Sequence, residues 1–211
     1  MHLNNIFTFI YKLDSFFYNF FYKNAPLAEQ QNFFYKYFQN EQIDSFFHFI
    51  TKFGEGYLEL ILAFFIICIS LFQKYKNHKK NPFKFFILFF YNQLFIQLTV
   101  NILKILFGRL RPYISAHPNG FFGIFYLIKN NLLFDSHYFS FPSGHTITIW
   151  GTIWFLFFNY KNKIKYILFP LGILVGISRI YLGFHWFSDV MASVILSYII
   201  VRILKRYLVN K

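Results

Sequence analysis

A chain of 211 residues is long enough for one domain with a substantial core, and no change in composition marks a second domain. Hydrophobic residues make up 56% of the chain, 35 residues are Phe, and only 14% are charged, against about 25% in an average soluble domain. This composition argues against an ordinary water-soluble protein and indicates a surface that faces lipid.

The formal net charge of +13 would suit a nucleic-acid-binding protein, but the positions of the basic residues indicate a different role. Eight of the 21 lie in two short clusters between long apolar runs: Lys74, Lys76, Lys79, Lys80, Lys84, and then Lys161, Lys163, Lys165. Cytoplasmic loops of membrane proteins are enriched in this way. We therefore expect a lipid bilayer, and no nucleic acid, as the partner.

Apolar runs predict an all-α fold, a polytopic membrane helical bundle with five transmembrane helices. A hydrocarbon core of about 30 Å needs about 20 helical residues. The runs cover approximately residues 57–73, 84–107, 145–160, 164–182 and 188–208. Before them, the aromatic segment 6–21 is interrupted by Lys12 and Asp14. That segment is either a short sixth span or a helix lying in the membrane interface.

The basic loops also predict an orientation. If both lysine clusters and the basic C-terminal tail face the cytoplasm, the positive-inside rule is satisfied three times. The loops 108–144 and 183–187 then open on the opposite face. Residues 108–144 are rich in Pro and Gly, and a long loop region of this kind commonly carries function.

Three polar clusters lie where apolar runs meet these two loops. They are Lys104 with Arg111-Pro112, then Pro142-Ser143-Gly144-His145, then Ser178-Arg179 with His185 and Asp189. Each cluster alone has a structural explanation. A basic residue at a span end can extend to the interface, Ser is a common helix cap, and His and Asp four residues apart can form a structural hydrogen bond. Their joint occurrence in this order favours a functional site.

Together the clusters resemble the complete three-part signature of the type 2 phosphatidic acid phosphatase (PAP2) family. The resemblance covers about residues 100–195, with no signature position substituted. A fainter resemblance, in residues 120–126 and 140–145, is to the bacterial lipid A 1-phosphatases of that family. The resemblance to the PAP2 family implies a phosphatase core over residues 57–211, preceded by an N-terminal aromatic region over residues 1–56.

The resemblance assigns a role to each residue. His185 is the nucleophile that forms a phosphohistidine, Asp189 orients its ring, and His145 is the general acid. Phosphoryl transfer spreads negative charge over three oxygens, so several fixed cations and backbone donors are expected around it. The phosphate-binding residues are Lys104, Arg111, Ser143, Gly144 and Arg179.

The family works without a metal, so we expect no metal and no cofactor, although His145, His185 and Asp189 could form a metal site instead.

The predicted function is hydrolysis of a lipid phosphomonoester or diphosphate. Candidate substrates are lipid A 1-phosphate, undecaprenyl diphosphate, phosphatidylglycerophosphate and phosphatidate. We expect the enzyme in a bacterial inner membrane with its site on the outer face. The alternatives are a non-catalytic protein that binds or transports anionic lipid and a vanadate-dependent haloperoxidase. The sequence does not predict an oligomeric state.

Overall fold

A computed structural model describes residues 2–22, 40–58, 61, 64–65, 82–115, 117–159, 166 and 168–208. Within these ranges the chain forms helices and isolated bridges but no β-strand, so the predicted all-α fold is confirmed. The helices are α1 (His2–Phe21), α2 (Glu41–Lys52), α3 (Pro82–Phe107), α4 (Gly123–Lys129), a 3₁₀ helix (Ser136–Tyr138), α5 (Gly144–Asn159), α6 (Leu168–Tyr181) and α7 (Phe187–Leu208).

Among the described residues, two helical segments are long and apolar enough to cross a membrane, Phe86–Phe107 of α3 and Phe187–Tyr207 of α7. Helices α5 and α6 are apolar but have 16 and 14 described residues, fewer than the approximately 20 of a full span. Most of the run predicted at 57–73 lies outside the described residues. Five transmembrane helices therefore remain a prediction, although the segment 6–21 is helical as expected.

Helix α5 is the centre of the bundle. Ten of the eleven residues 146–156 are buried between α3, α6 and α7. Gly151 allows the close approach of α3, because a Cβ there would lie 2.1 Å from Cδ1 of Ile96. Ile96 and Ile147 belong to the same apolar core cluster, in which both are fully buried. The middle of the protein is thus packed around residues 146–156 of α5.

Two hydrogen bonds link α3 to α5 within this apolar core. The amide of Gln93 donates to the Thr152 hydroxyl at 2.6 Å, and that of Gln97 donates to the Thr148 hydroxyl at 2.8 Å. Polar side chains buried between apolar helices are commonly paired in this way. Lys104 lies two helical turns beyond Gln97 and therefore on the same face of α3. The two hydrogen bonds fix which face of α3 is directed at α5, and Lys104 on that face therefore points toward the N-terminus of α5.

Helices α1 and α2 pack on the same end of the bundle, where the loops described below converge. On α2, Phe47 lies against the ring of Tyr181, with 4.3 Å between ring centroids, and Asp44 accepts a hydrogen bond from the Tyr181 hydroxyl. On α1, the ring of Phe17 stacks on Phe187 at 4.0 Å. Both N-terminal helices therefore contact α6 or α7 close to the polar clusters found in the sequence.

Candidate active site

The N-terminus of α5 forms one wall of the site. The helix begins at Gly144, so the N–H groups of its first turn are directed out of the helix end. The amine of Lys104 comes within 3.4 Å of the place that a Cβ of Gly144 would occupy. Ser143 is fully buried, and its hydroxyl lies 2.9 Å from the Thr146 hydroxyl. A cation of the first cluster thus lies at the helix end formed by the second cluster, while the Ser143 hydroxyl is engaged within its own turn.

His185 lies just before α7 and is fixed by the loop that leads to α5. Its Nδ1 is 2.6 Å from the backbone carbonyl oxygen of Ser140. A carbonyl oxygen only accepts hydrogen bonds, so Nδ1 carries the proton and Nε2 keeps a free lone pair. Burial lowers the pKa of His185 to about 3, although the nearby Asp189 opposes this shift. The ring is therefore neutral at physiological pH, as a nucleophile must be.

Asp189 acts on His185 by a different route from the one expected. Its Oδ2 is 3.8 Å from Nδ1 of His185, too long for a hydrogen bond. The same oxygen accepts the Ser140 hydroxyl at 2.6 Å and the backbone N–H of Trp186 at 2.9 Å. Asp189 thus holds Ser140, whose carbonyl group in turn holds the ring of His185. No pattern in the sequence indicates the part played by Ser140.

Two arginines of the signature lie close to one aromatic ring. The guanidinium carbon of Arg179 is 4.3 Å from the ring centroid of Phe184, and that of Arg111 is 5.7 Å from it. Arg179 also donates to the Thr51 hydroxyl on α2 at 2.8 Å. In both arginines Nε is buried and has no hydrogen-bond partner in the described part of the chain. Since buried donors are normally satisfied, an anion bound here would supply the acceptors.

His145, the second residue of α5, belongs to the same group. It lies within electrostatic range of His185 and of the three cations Lys104, Arg111 and Arg179. Among these neighbours, Arg111 is partly buried, and this burial lowers the pKa of its guanidinium. The end of α2 covers His145 so closely that a Cβ on Gly54 would lie 2.6 Å from its Cβ. The structure therefore brings residues of all three sequence clusters to one place.

Four residues that contribute to this arrangement were missed by the sequence analysis: Asp14, Thr51, Arg109 and Ser140. Arg109 is almost completely buried and contacts the carboxylates of both Asp14 and Asp189. An acidic residue inside an apolar segment is unusual enough to signal Asp14. Thr51 and Ser140 carry no comparable signal in the sequence.

A metal site was the alternative interpretation of His145, His185 and Asp189. Within the described ranges, these residues do not form a cluster with the geometry of metal ligands. Both carboxylate oxygens of Asp189 instead accept hydrogen bonds from protein donors. The donors left free in the site suit an anion.

Comparison with known proteins identifies the family of this chain. The model of the PAP2 superfamily matches residues 84–211, more than half of the chain. The chain therefore belongs to the PAP2 superfamily. The crystal structure of LpxE from Aquifex aeolicus matches with a TM-score of 0.60 and 28% identity, covering 81% of this chain and 89% of LpxE. These two matches support a lipid phosphatase of the PAP2 type with similarity to LpxE-like members.

A shorter match is to an uncharacterized protein of Methanocaldococcus jannaschii, 36% identical over 76 residues. It covers 32% of this chain and 31% of that protein, so the chain matches less than a third of the relative's length. The superfamily match begins at residue 84. Asp14 and Thr51 therefore reach the site from helices that lie outside the matched region.

Proposed function

We propose that the protein is an integral-membrane enzyme that removes phosphate from a lipid phosphomonoester or diphosphate through a phosphohistidine on His185. One observation carries the proposal. The Nδ1 of His185 is held by Ser140, which leaves Nε2 available, and the same site contains two buried arginine Nε donors that have no partner among the described residues. A nucleophile and an unfilled set of anion donors together suit phosphoryl transfer.

In the first step the lone pair of Nε2 attacks phosphorus, and the bond from phosphorus to the lipid oxygen breaks. His145 in its protonated form gives its proton to that oxygen, so the lipid leaves as an alcohol or a shorter phosphate. In the second step His145 takes a proton from water, whose oxygen attacks phosphorus. The P–N bond breaks, phosphate is released, and His185 returns to its neutral form.

The charges for this reaction come from the protein. Lys104, Arg111 and Arg179 bind the equatorial phosphate oxygens, with the backbone at Gly144 and the first turn of α5 as further donors. Ser143 shapes this turn through its contact with Thr146. Three cations around one phosphoryl group supply the stabilisation that a divalent metal gives in other phosphatases. We therefore propose that the enzyme is metal-independent.

An apolar groove beside the site supports a lipid substrate. It has a volume of about 670 Å³ and lies between α1, α7 and the loops that carry Phe121 and Phe141. Phe141 is next to Ser140, the residue that holds His185. Arg109 and Ser188 in its lining are already hydrogen-bonded to each other and to Asp14. Such a groove suits a hydrocarbon chain of the substrate.

The location of the enzyme and its substrate form part of the proposal. The enzyme lies in a bacterial inner membrane, crosses it with five helices or with six if α1 also spans, and opens its site on the outer face. Residues 57–211 form the phosphatase core and residues 1–56 an accessory region. Of the candidate lipids, lipid A 1-phosphate is favoured by the resemblance of residues 120–126 and 140–145 to lipid A 1-phosphatases.

Phosphate release from a panel of these lipids, measured on purified protein in detergent with and without EDTA, tests the proposal. Wild type should release phosphate from at least one lipid and be indifferent to EDTA, and His185→Ala should release none. His137→Ala is the matched control, since that histidine is 47% exposed and pairs with Asp135. Equal activity of His185→Ala and wild type would contradict the mechanism. Binding without release by wild type would identify a binding or transport protein.

A further inference from the structure

Arg109 lies between two carboxylates in the interior of the protein. One of its terminal nitrogens donates to Asp14 at 2.7 Å, and the other donates to Asp189. The same guanidinium donates to the carbonyl oxygen of Pro118 at 2.6 Å and to the hydroxyl of Ser188 at 2.7 Å. Arg109 is 1% exposed and both carboxylates are 0% exposed. Water therefore does not screen the charges of this trio.

Asp14 also binds the start of α7 directly. Its Oδ1 accepts the backbone N–H of Ser188 at 2.7 Å, and its Oδ2 accepts the Ser188 hydroxyl at 2.7 Å. Ser188 is in the first turn of α7, where backbone N–H groups have no partner within the helix and a negative charge is favourable. A carboxylate from α1 thereby caps the helix that carries Asp189.

Three further contacts connect this trio to the reacting ring. Asp189 accepts the Ser140 hydroxyl at 2.6 Å, and the Ser140 carbonyl accepts Nδ1–H of His185 at 2.6 Å. Oδ2 of Asp189 is 3.8 Å from the same nitrogen. A change in the position or net charge of the trio is therefore transmitted to His185 through the Asp189 side chain and the loop that contains Ser140.

The charges of the trio explain why a second carboxylate is useful. Two carboxylates and one guanidinium leave a net charge of −1, whereas Arg109 and Asp189 alone would be neutral. When Nε2 bonds to phosphorus while Nδ1 keeps its proton, the ring becomes cationic. Arg111, Arg179 and His145 lie within electrostatic range of His185, and the two guanidinium groups oppose that charge unless phosphate neutralises them. A net negative trio behind the ring favours the cation.

We infer that Asp14 is a positioning residue for the reaction at His185, acting through Arg109 and Asp189. The inference rests on the proposed phosphohistidine mechanism. It also gives the N-terminal helix a task in catalysis, although that helix lies outside the region matched by the superfamily.

The test compares Asp14→Asn with two other variants on the same helix. Asp14→Asn keeps the size of the side chain but removes its charge, and kcat should fall about tenfold, the usual scale for a lost charged hydrogen bond, with KM changed less than twofold. Asp14→Glu should recover part of kcat. Phe17→Leu, which weakens the stacking on Phe187, should lower thermal stability and leave kcat per folded molecule unchanged. An equal loss of kcat in Phe17→Leu would overturn the inference.

The pH dependence of kcat/KM distinguishes loss of the Asp14 charge from loosening of the structure. The informative part is the acid limb, where kcat/KM falls because His185 becomes protonated. Removing the Asp14 charge makes protonation of His185 harder, so the limb should move to lower pH in Asp14→Asn. Loosening would admit water and move the limb to higher pH, because burial is the main cause of the lowered pKa of His185. The cationic groups within electrostatic range of the ring, Arg111 and Arg179, are unchanged in the variant. A shift to higher pH would therefore contradict the inference.

A measurement that does not need turnover keeps this inference distinct from the proposed function. In protein labelled with ¹⁵N-histidine, the His185 ring resonances can be assigned by their loss in His185→Gln. Asp14→Asn should shift them, whereas Phe17→Leu should not. If wild type hydrolysed no lipid but the shift occurred, the proposed reaction would fail and the coupling of Asp14 to His185 would stand. Unchanged His185 resonances in Asp14→Asn would overturn the inference.

Discussion

Substitution of Gly54 by Ala tests how closely α2 covers the site. A Cβ at this position would lie 2.6 Å from Cβ, 2.8 Å from the carbonyl oxygen and 2.9 Å from Cα of His145. The shortest of these distances is 0.8 Å below the 3.4 Å at which ordinary contact begins. Two of the three atoms belong to the backbone of α5, so a change of side-chain rotamer cannot relieve the clash.

The cost follows from that geometry. Overpacking in a well-packed interior usually destabilises a protein by about 1–3 kcal/mol. If α2 moves away, Arg179 is also affected, since it donates to Thr51 one turn earlier on α2. If α5 moves instead, His145 shifts by several tenths of an ångström, and misplacement of a reacting group by about 1 Å can cost about 100-fold in rate. We expect Gly54→Ala to lower both the unfolding temperature and kcat.

Gly56→Ala is the matched control, because no atom of the described residues lies within 4 Å of a Cβ at that position. Thermal unfolding in detergent and phosphate release should be measured on both variants beside wild type. Gly56→Ala should match wild type in both assays. If Gly54→Ala also matched wild type, α2 would not cover His145 as described.

Three other predictions follow from contacts in the structure. Thr51→Val removes a partner of Arg179, so the inhibition constant of orthophosphate should rise by about tenfold; an unchanged constant would mean that this contact does not orient the guanidinium. Gln97→Leu breaks a contact with α5 and should cost about 0.6 kcal/mol in unfolding experiments, whereas Thr99→Val, which loses only a bond within its own helix, should cost less. Because burial lowers the pKa of His185 to about 3, the folded protein binds fewer protons than the unfolded chain, whose histidines titrate near 6.5. Stability should therefore fall as pH decreases from about 6.5 toward 3, and His185→Gln should flatten this dependence in thermal unfolding.

The sequence predicted the helical fold because apolar runs of this length have few other solutions in lipid. Ionisable residues at the ends of those runs are costly unless they are used, so Lys104, Arg111 and Arg179 were visible as candidates. The structure brings them near His145 and His185, as the three-part signature suggests. Their catalytic roles remain a proposal.

The sequence could not predict which groups connect the candidates. Ser140 contributes a backbone carbonyl, which every residue has, so its contact with His185 depends on the fold of the loop. The direct bond from His185 to Asp189 was expected from their spacing of four residues, but His185 precedes α7, and helical spacing does not apply there. Arg109 and Asp14 are separated by 95 residues. No local pattern relates two residues so far apart in the chain.

The two amide–hydroxyl pairs between α3 and α5 have a consequence for how the proposed membrane enzyme would fit its bilayer. Sliding α3 along α5 by one turn would separate both Gln93 from Thr152 and Gln97 from Thr148. The depth at which Lys104 meets Gly144 is thus set by contacts two and three turns further along the bundle. In a bilayer thicker or thinner than the protein, these helices cannot adjust by sliding. The mismatch is taken up by tilt of the whole bundle or by deformation of the lipid, and the distance between the cation and the helix end is preserved.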